Sequence, residues 1–123
     1  MGMELSVKFA AEGVPPWPAV RDLLAGRGFA VQMRMIDGDL SFPEEEPPAT
    51  WRELRVGTAA GMVTLRREGD QIHLIIWGNA EAGLQQLWNT LTWAYAEAGG
   101  GVVVTSQASL TAAEFQRQVI PSL

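Results

Sequence analysis

A single histidine limits the acid–base chemistry that this chain can offer. His73 sits between Ile72 and Leu74 in an alternating run, which places it on a strand, across from Arg66 if residues 62–77 fold as a hairpin. With no second histidine and no cysteine there is neither a His-His metal pair nor a Cys-His diad. A general-base role would also need a nucleophile or a substrate pocket beside it, and the sequence points to neither. The plain reading of His73 is a residue on the exposed face of a hairpin. A hydrolase or isomerase pairing it with a carboxylate is the third reading. Asp37-Gly38-Asp39 offers clustered oxygens for a hard cation, but the glycine and closing glutamate of an EF-hand loop do not follow. Turn residues in an acidic loop, with no metal, are expected there. Gly57-Thr58-Ala59-Ala60-Gly61 is bounded by glycine as phosphate loops are, yet it has no Lys-Ser/Thr pair and leads into a strand. A hairpin connection or bulge is expected, and no cofactor is implied.

Five tryptophans are the other notable resource, since each can bury roughly 150–250 Å². Trp17 and Trp51 fall at element edges, Trp77 ends a strand opposite in sense to Ile76, and Trp88 joins an apolar helical stripe. Trp93 lies about 180° around the same helix from Leu84, on a face with Gln86, Asn89 and Thr90. Between Glu81 and Glu97 this helix has no charge. Such a face is either covered by the C-terminal helix or a loop, or meets another chain. The leading expectation is therefore a non-enzymatic protein-binding module, a homodimer, adaptor or partner-neutralising protein that binds through Trp93, Asn89, Gln86 and Thr90. The alternative is a small-ligand-binding domain whose pocket, between sheet and helix, is lined by Trp77, Trp51 and His73.

The helix that carries Trp93 organises the chain. From Asn79 to Ala98 it sets Leu84, Leu87, Trp88, Leu91, Tyr95 and Ala98 in one stripe, with Asn79 as N-cap and Gly99-Gly100-Gly101 as its stop. Before it, Met3 to Phe9 alternates as a strand. Pro18, Val20, Leu23 and Leu24 begin a helix that ends at Gly26–Gly28, and 29–36 alternates again with Phe29, Val31, Met33 and Met35 inward. Residues 37–50 hold Pro43, Pro47 and Pro48 among acids and form a solvated, mobile loop, dispensable to the fold; 52–58 is a strand. A two-residue turn at Gly69-Asp70 sets Leu65 opposite Leu74 and Arg66 opposite His73. Val102 to Thr105 returns to the sheet as a buried strand, and Thr111 to Glu114 is a capping box opening a last helix that Pro121 ends. The order predicts an α+β fold, a mostly antiparallel sheet with two main helices on one face. A ferredoxin-like core with extra strands is preferred, and a helix-grip arrangement is the alternative. The residues around the main helix match no family motif.

Composition bounds the rest. Residues 1–123 read as one domain, large enough for a core without staples. The net charge of −5 resides in Asp37, Asp39, Glu44, Glu45 and Glu46, because the other nine acids balance the nine basic residues. A neutral body with one acidic loop is not the clustered basic surface of a nucleic-acid binder. No window is long and apolar enough for a membrane span, and with no cysteine the chain reads as cytoplasmic. The expected partners are a protein or a second copy, with a small molecule possible and no nucleic acid or membrane.

Overall fold

The Met62–Trp77 segment folds in the register that its aliphatic residues demand. In the computed structural model, which describes residues 2–78 and 80–119, Leu65 lies opposite Leu74 and Arg66 opposite His73, and Gly69-Asp70 makes the turn. Gly69 takes a φ of 61°, which a glycine adopts without strain. The strands are β1 (Met3–Lys8), β2 (Gln32–Ile36), β3 (Asp39–Leu40), β4 (Glu53–Thr58), β5 (Gly61–Glu68), β6 (Gln71–Ile76), β7 (Val102–Val104) and β8 (Ser109–Thr111). They form one open sheet in the order β3-β2-β4-β5-β6-β1-β7-β8, and every neighbouring pair is antiparallel. Among the described residues three helices accompany the sheet: α1 (Trp17–Gly26), α2 (Ala82–Gly99) and α3 (Ala112–Val119). A ferredoxin-like core would place parallel strands side by side at its centre. Here β1 lies between β6 and β7 and runs antiparallel to both, so the preferred topology is not the one formed.

Registers align the apolar residues on one face of the sheet. Val7, Val103, Leu54, Val56, Val63, Leu65, Ile72, Leu74 and Ile76 share it, and they enter one core with Val20 and Leu24 of α1, Leu87 and Leu91 of α2 and Phe115 of α3. α2 rests on β1, β5, β6 and β7, and both α1 and α3 pack against it. Trp88 ties it to the sheet, its indole Nε1 donating to the Leu74 carbonyl at 2.9 Å.

Several local expectations hold, and several need correction. Gly100 ends α2 in the left-handed conformation at φ 63°, and Thr111 with Glu114 closes the capping box through reciprocal bonds of 3.2 and 2.9 Å. The glycine run has a second reason. A Cβ on Gly99 would fall 2.5 Å from the Phe9 ring and 2.8 Å from the Gly13 carbonyl, so only glycine lets α2 end against Phe9. Gly57 to Gly61 is the β4–β5 connection, as expected. Asn79 and Pro121 lie outside the described residues; Glu81 occupies the N-cap position of α2. Met35 does not face inward. A bulge between Met33 and Met35 resets the alternation, so Met33 and Ile36 enter the core side and Met35 pairs with Arg55 on the opposite face. β7 buries only Val103; Val102 is exposed and Val104 half-buried, because the face away from the helices is open.

Candidate functional site

Two proline pairs, each followed by tryptophan, meet at one end of the sheet. Pro15-Pro16-Trp17-Pro18 leads into α1, and Pro47-Pro48-Ala49-Thr50-Trp51 leads into β4. Proline fixes φ and suits the first turn of α1, and it holds the second segment extended outside the sheet. Between the segments is a cavity of about 350 Å³, whose walls include Val14, Trp17, Pro47, Pro48, Trp51 and Arg67. Both indoles are built into the wall, each 3% exposed. The Arg67 guanidinium stands 5.6 Å from the Trp51 ring centroid and donates from Nη1 to the Ala49 carbonyl at 2.7 Å. Behind Trp17 the Tyr95 ring packs with centroids 6.5 Å apart. Its hydroxyl is buried with no hydrogen-bond partner among the described residues. Burial raises the Tyr95 pKa above its ordinary 10.0, and the Arg67 charge opposes this by a smaller amount. The arrangement offers apolar walls, one cation, Arg67, and one carboxylate, Glu46, which also lies 3.9 Å from Arg21.

The acidic loop borders this site through residues 46–49 and is tied to the domain body by several hydrogen bonds. Asp37 adopts φ 49° and its Oδ1 accepts the backbone N–H groups of Arg52 at 2.7 Å and Glu53 at 2.9 Å. The Pro43 carbonyl accepts from Met33, Ser41 donates to the Arg34 carbonyl, and Glu46 lies 3.9 Å from Arg21 of α1. The segment is nonetheless solvated as expected: of residues 37–50 only Ser41 and Pro47 are half-buried, and Leu40 and Phe42 are 87% and 79% exposed. The two bonds, to Glu53 first and then Arg52, hold the Asp37 pKa below its ordinary 3.8. The stabilising contribution is thus present above that value and is lost as pH falls through the lower, folded-state pKa. Asp37→Ala should cost about 1 kcal/mol in urea unfolding at pH 7, the difference from wild type shrinking below pH 4. Asp37→Asn, which keeps an accepting oxygen and tolerates left-handed backbone, should retain most of the stability. Equal stability of wild type and Asp37→Ala at pH 7 would contradict the tie.

Of the three residues expected to line a ligand pocket, only Trp51 does so. Trp77 and His73 have the opposite parity to Leu74 and Ile76, so they stand on the open face of the sheet, and Trp77 is 57% exposed. The pocket consequently lies between the entry to α1 and the 46–51 segment, not between sheet and α2, and Trp17 was not among its expected residues. The repeated Pro-Pro-…-Trp pattern was the available signal. The Trp93 surface needs the larger correction. Trp93 is 3% exposed, with the Arg27 guanidinium, just past the end of α1, 4.4 Å above its ring, and Thr90 is fully buried; Asn89 is half-buried, leaving Gln86 as the exposed member. Residues 90–96 are buried without interruption, so every side of two helical turns is covered. An uncharged helix between a sheet and two other helices is a buried helix.

His73 has polar neighbours, but not the geometry of a catalytic relay. Ser6 Oγ lies 2.8 Å and Glu4 Oε2 3.2 Å from the same ring nitrogen, Nδ1, while Glu68 is 3.8 Å from Nε2. Ser6 and Glu68 do lie at different nitrogens, as a relay requires, but Glu68 at 3.8 Å is beyond hydrogen-bond distance, and the nearer carboxylate, Glu4, shares Nδ1 with Ser6. The group also lies on the open sheet face, across from Arg66, which is paired with Glu53 at 3.0 Å. No cluster of three histidine or acidic side chains suited to a metal occurs among the described residues, and none of the described helices is long and apolar enough to cross a membrane. Compared with protein-family models, with curated proteins and with solved structures, the chain matches none.

Proposed function

We propose that this domain binds a small molecule in the Trp17–Trp51 pocket, in a helix-grip-like setting where α2 is held against the antiparallel sheet. The observation that carries the reading is the pairing of two wall-embedded indoles with Arg67 around about 350 Å³, within the size range of ligand pockets. The chemistry favours a flat apolar body bearing one negative group. Proline rings and the exposed edges of the two indoles take the body, and the N–H groups of Arg67 not used on Ala49 take the charge. The acidic residues of the neighbouring segment disfavour a polyanion.

The test is titration with 1-naphthoate and with the neutral 1-naphthamide, followed by NMR of the indole N–H signals and by calorimetry. Naphthoate should shift the Trp17 and Trp51 signals and leave that of Trp77 in place. It should bind at least tenfold more tightly than the amide, and Arg67→Gln should remove that preference, a difference of about 1.4 kcal/mol. Failure of both compounds to move either indole signal at millimolar concentration would overturn the reading.

A further inference from the structure

The face of the sheet turned away from the helices carries a self-complementary pattern. One row across it reads Arg55, Thr64, Ile75, Glu4 on β4, β5, β6 and β1, as the cross-strand registers dictate. Arg55 is half-buried, its Nε has no hydrogen-bond partner, and no carboxylate among the described residues pairs with it. Glu4, at the other end of the row, has a half-exposed side chain. The row beyond Arg55 and Thr64 ends in apolar groups: Met62 is 47% exposed, and the Trp77 ring lies over Gly2, where a Cβ would come within 2.8 Å of it.

We propose that this face binds a second copy of the chain, with a two-fold axis running along the strands between β5 and β6. Rotation about that axis exchanges β5 with β6 and β4 with β1 in the facing sheet. Arg55 then meets Glu4 of the second copy and Glu4 meets its Arg55, and Met62 faces Trp77; Thr64 and Ile75 at the centre are already buried within each chain, so the contact is made by the side chains around them. In the next row Arg66 stands opposite the copy's His73, with Glu53, Glu68 and Glu4 already beside these groups. The same patch is thus donor and acceptor of charge, which an isologous contact requires and a purely solvated face does not. Four strands spaced about 4.8 Å apart, with six to eight residues each rising about 3.3 Å, give this face roughly 400–500 Å², the size of a weak interface in which the paired charges set the orientation. The inference does not depend on the ligand pocket, which lies at the other side of the sheet with Trp17 and Trp51.

Analytical ultracentrifugation of the full chain between about 1 and 100 µM tests it. Wild type should sediment as a dimer over the upper part of that range. Arg55→Glu and Glu4→Arg should each give a monomer with unchanged circular dichroism, and the double exchange Arg55→Glu/Glu4→Arg should restore the dimer. A wild type that remains monomeric at 100 µM overturns the proposal, as do single variants that dimerise like wild type. A folded double variant that stays monomeric does the same. Should a single charge variant fail to fold, Arg55→Gln and Glu4→Gln, which keep side-chain size and remove one charge each, supply a second reading: each should weaken the dimer roughly tenfold or more, and a folded Gln variant that associates like wild type rejects the two-fold.

Discussion

Trp93→Ala is expected to lower stability by roughly 3–5 kcal/mol in denaturant unfolding, with little change in the slope. The indole is buried, with Arg27 over its face, so truncation leaves a cavity and removes a cation–π contact together. A loss of that size is a large part of the stability of a domain of this length. Trp93→Phe separates the contributions. Nε1 donates no hydrogen bond among the described residues, so the phenyl ring forfeits volume but no bond and should cost about 1–2 kcal/mol. An exposed interface tryptophan would behave differently: Trp93→Ala would then leave unfolding unchanged and act only on association. A loss below about 1 kcal/mol would contradict the buried setting.

What the sequence made legible was governed by pattern, and what it hid was governed by topology. Leu65 and Leu74 specify the hairpin because a slip of one residue would turn every aliphatic side chain to the wrong face, and the observed register is the expected one. The capping box at Thr111 and the left-handed Gly100 are equally local, and both formed as read. Met35 failed because one extra residue in β2 resets alternation, and nothing in a two-residue period announces a bulge. Trp93 failed for a different reason. A helical wheel assigns an inner and an outer face, whereas α2 has no outer face along residues 90–96, since α1 and α3 pack on it in addition to the sheet. The absence of charge from Glu81 to Glu97 recorded that enclosure. The candidate pocket was legible only in half: Trp51 was named, but its partner Trp17 lies 34 positions away, and only the fold brings the two proline pairs together.

Tyr95→Phe is expected to make the domain resistant to alkali. Tyr95 is the chain's one tyrosine, it is fully buried, and its hydroxyl lacks a partner among the described residues. Burial raises its folded-state pKa well above the 10.0 of an exposed tyrosine, the nearby Arg67 opposing this only in part. The sign follows from proton binding. Below pH 10 both folded and unfolded chains keep the proton, and stability is unaffected. Above it the unfolded chain releases a proton that the folded one retains, so stability falls by about 1.4 kcal/mol per pH unit until the folded-state pKa is reached. Wild type should therefore lose roughly 2–3 kcal/mol by pH 12, read as a lower urea midpoint, and phenolate absorbance should appear together with the loss of circular dichroism as urea is added, because the single phenol ionises only once it is exposed. Tyr95→Phe removes both the titration and an unsatisfied buried hydroxyl. It should match or slightly exceed wild type at pH 7, and by pH 12 should gain a relative advantage of roughly 2–3 kcal/mol. Phenolate forming with a midpoint near pH 10 while the circular dichroism stays native would mean that water reaches the hydroxyl, and with it the wall behind Trp17 would have to be open.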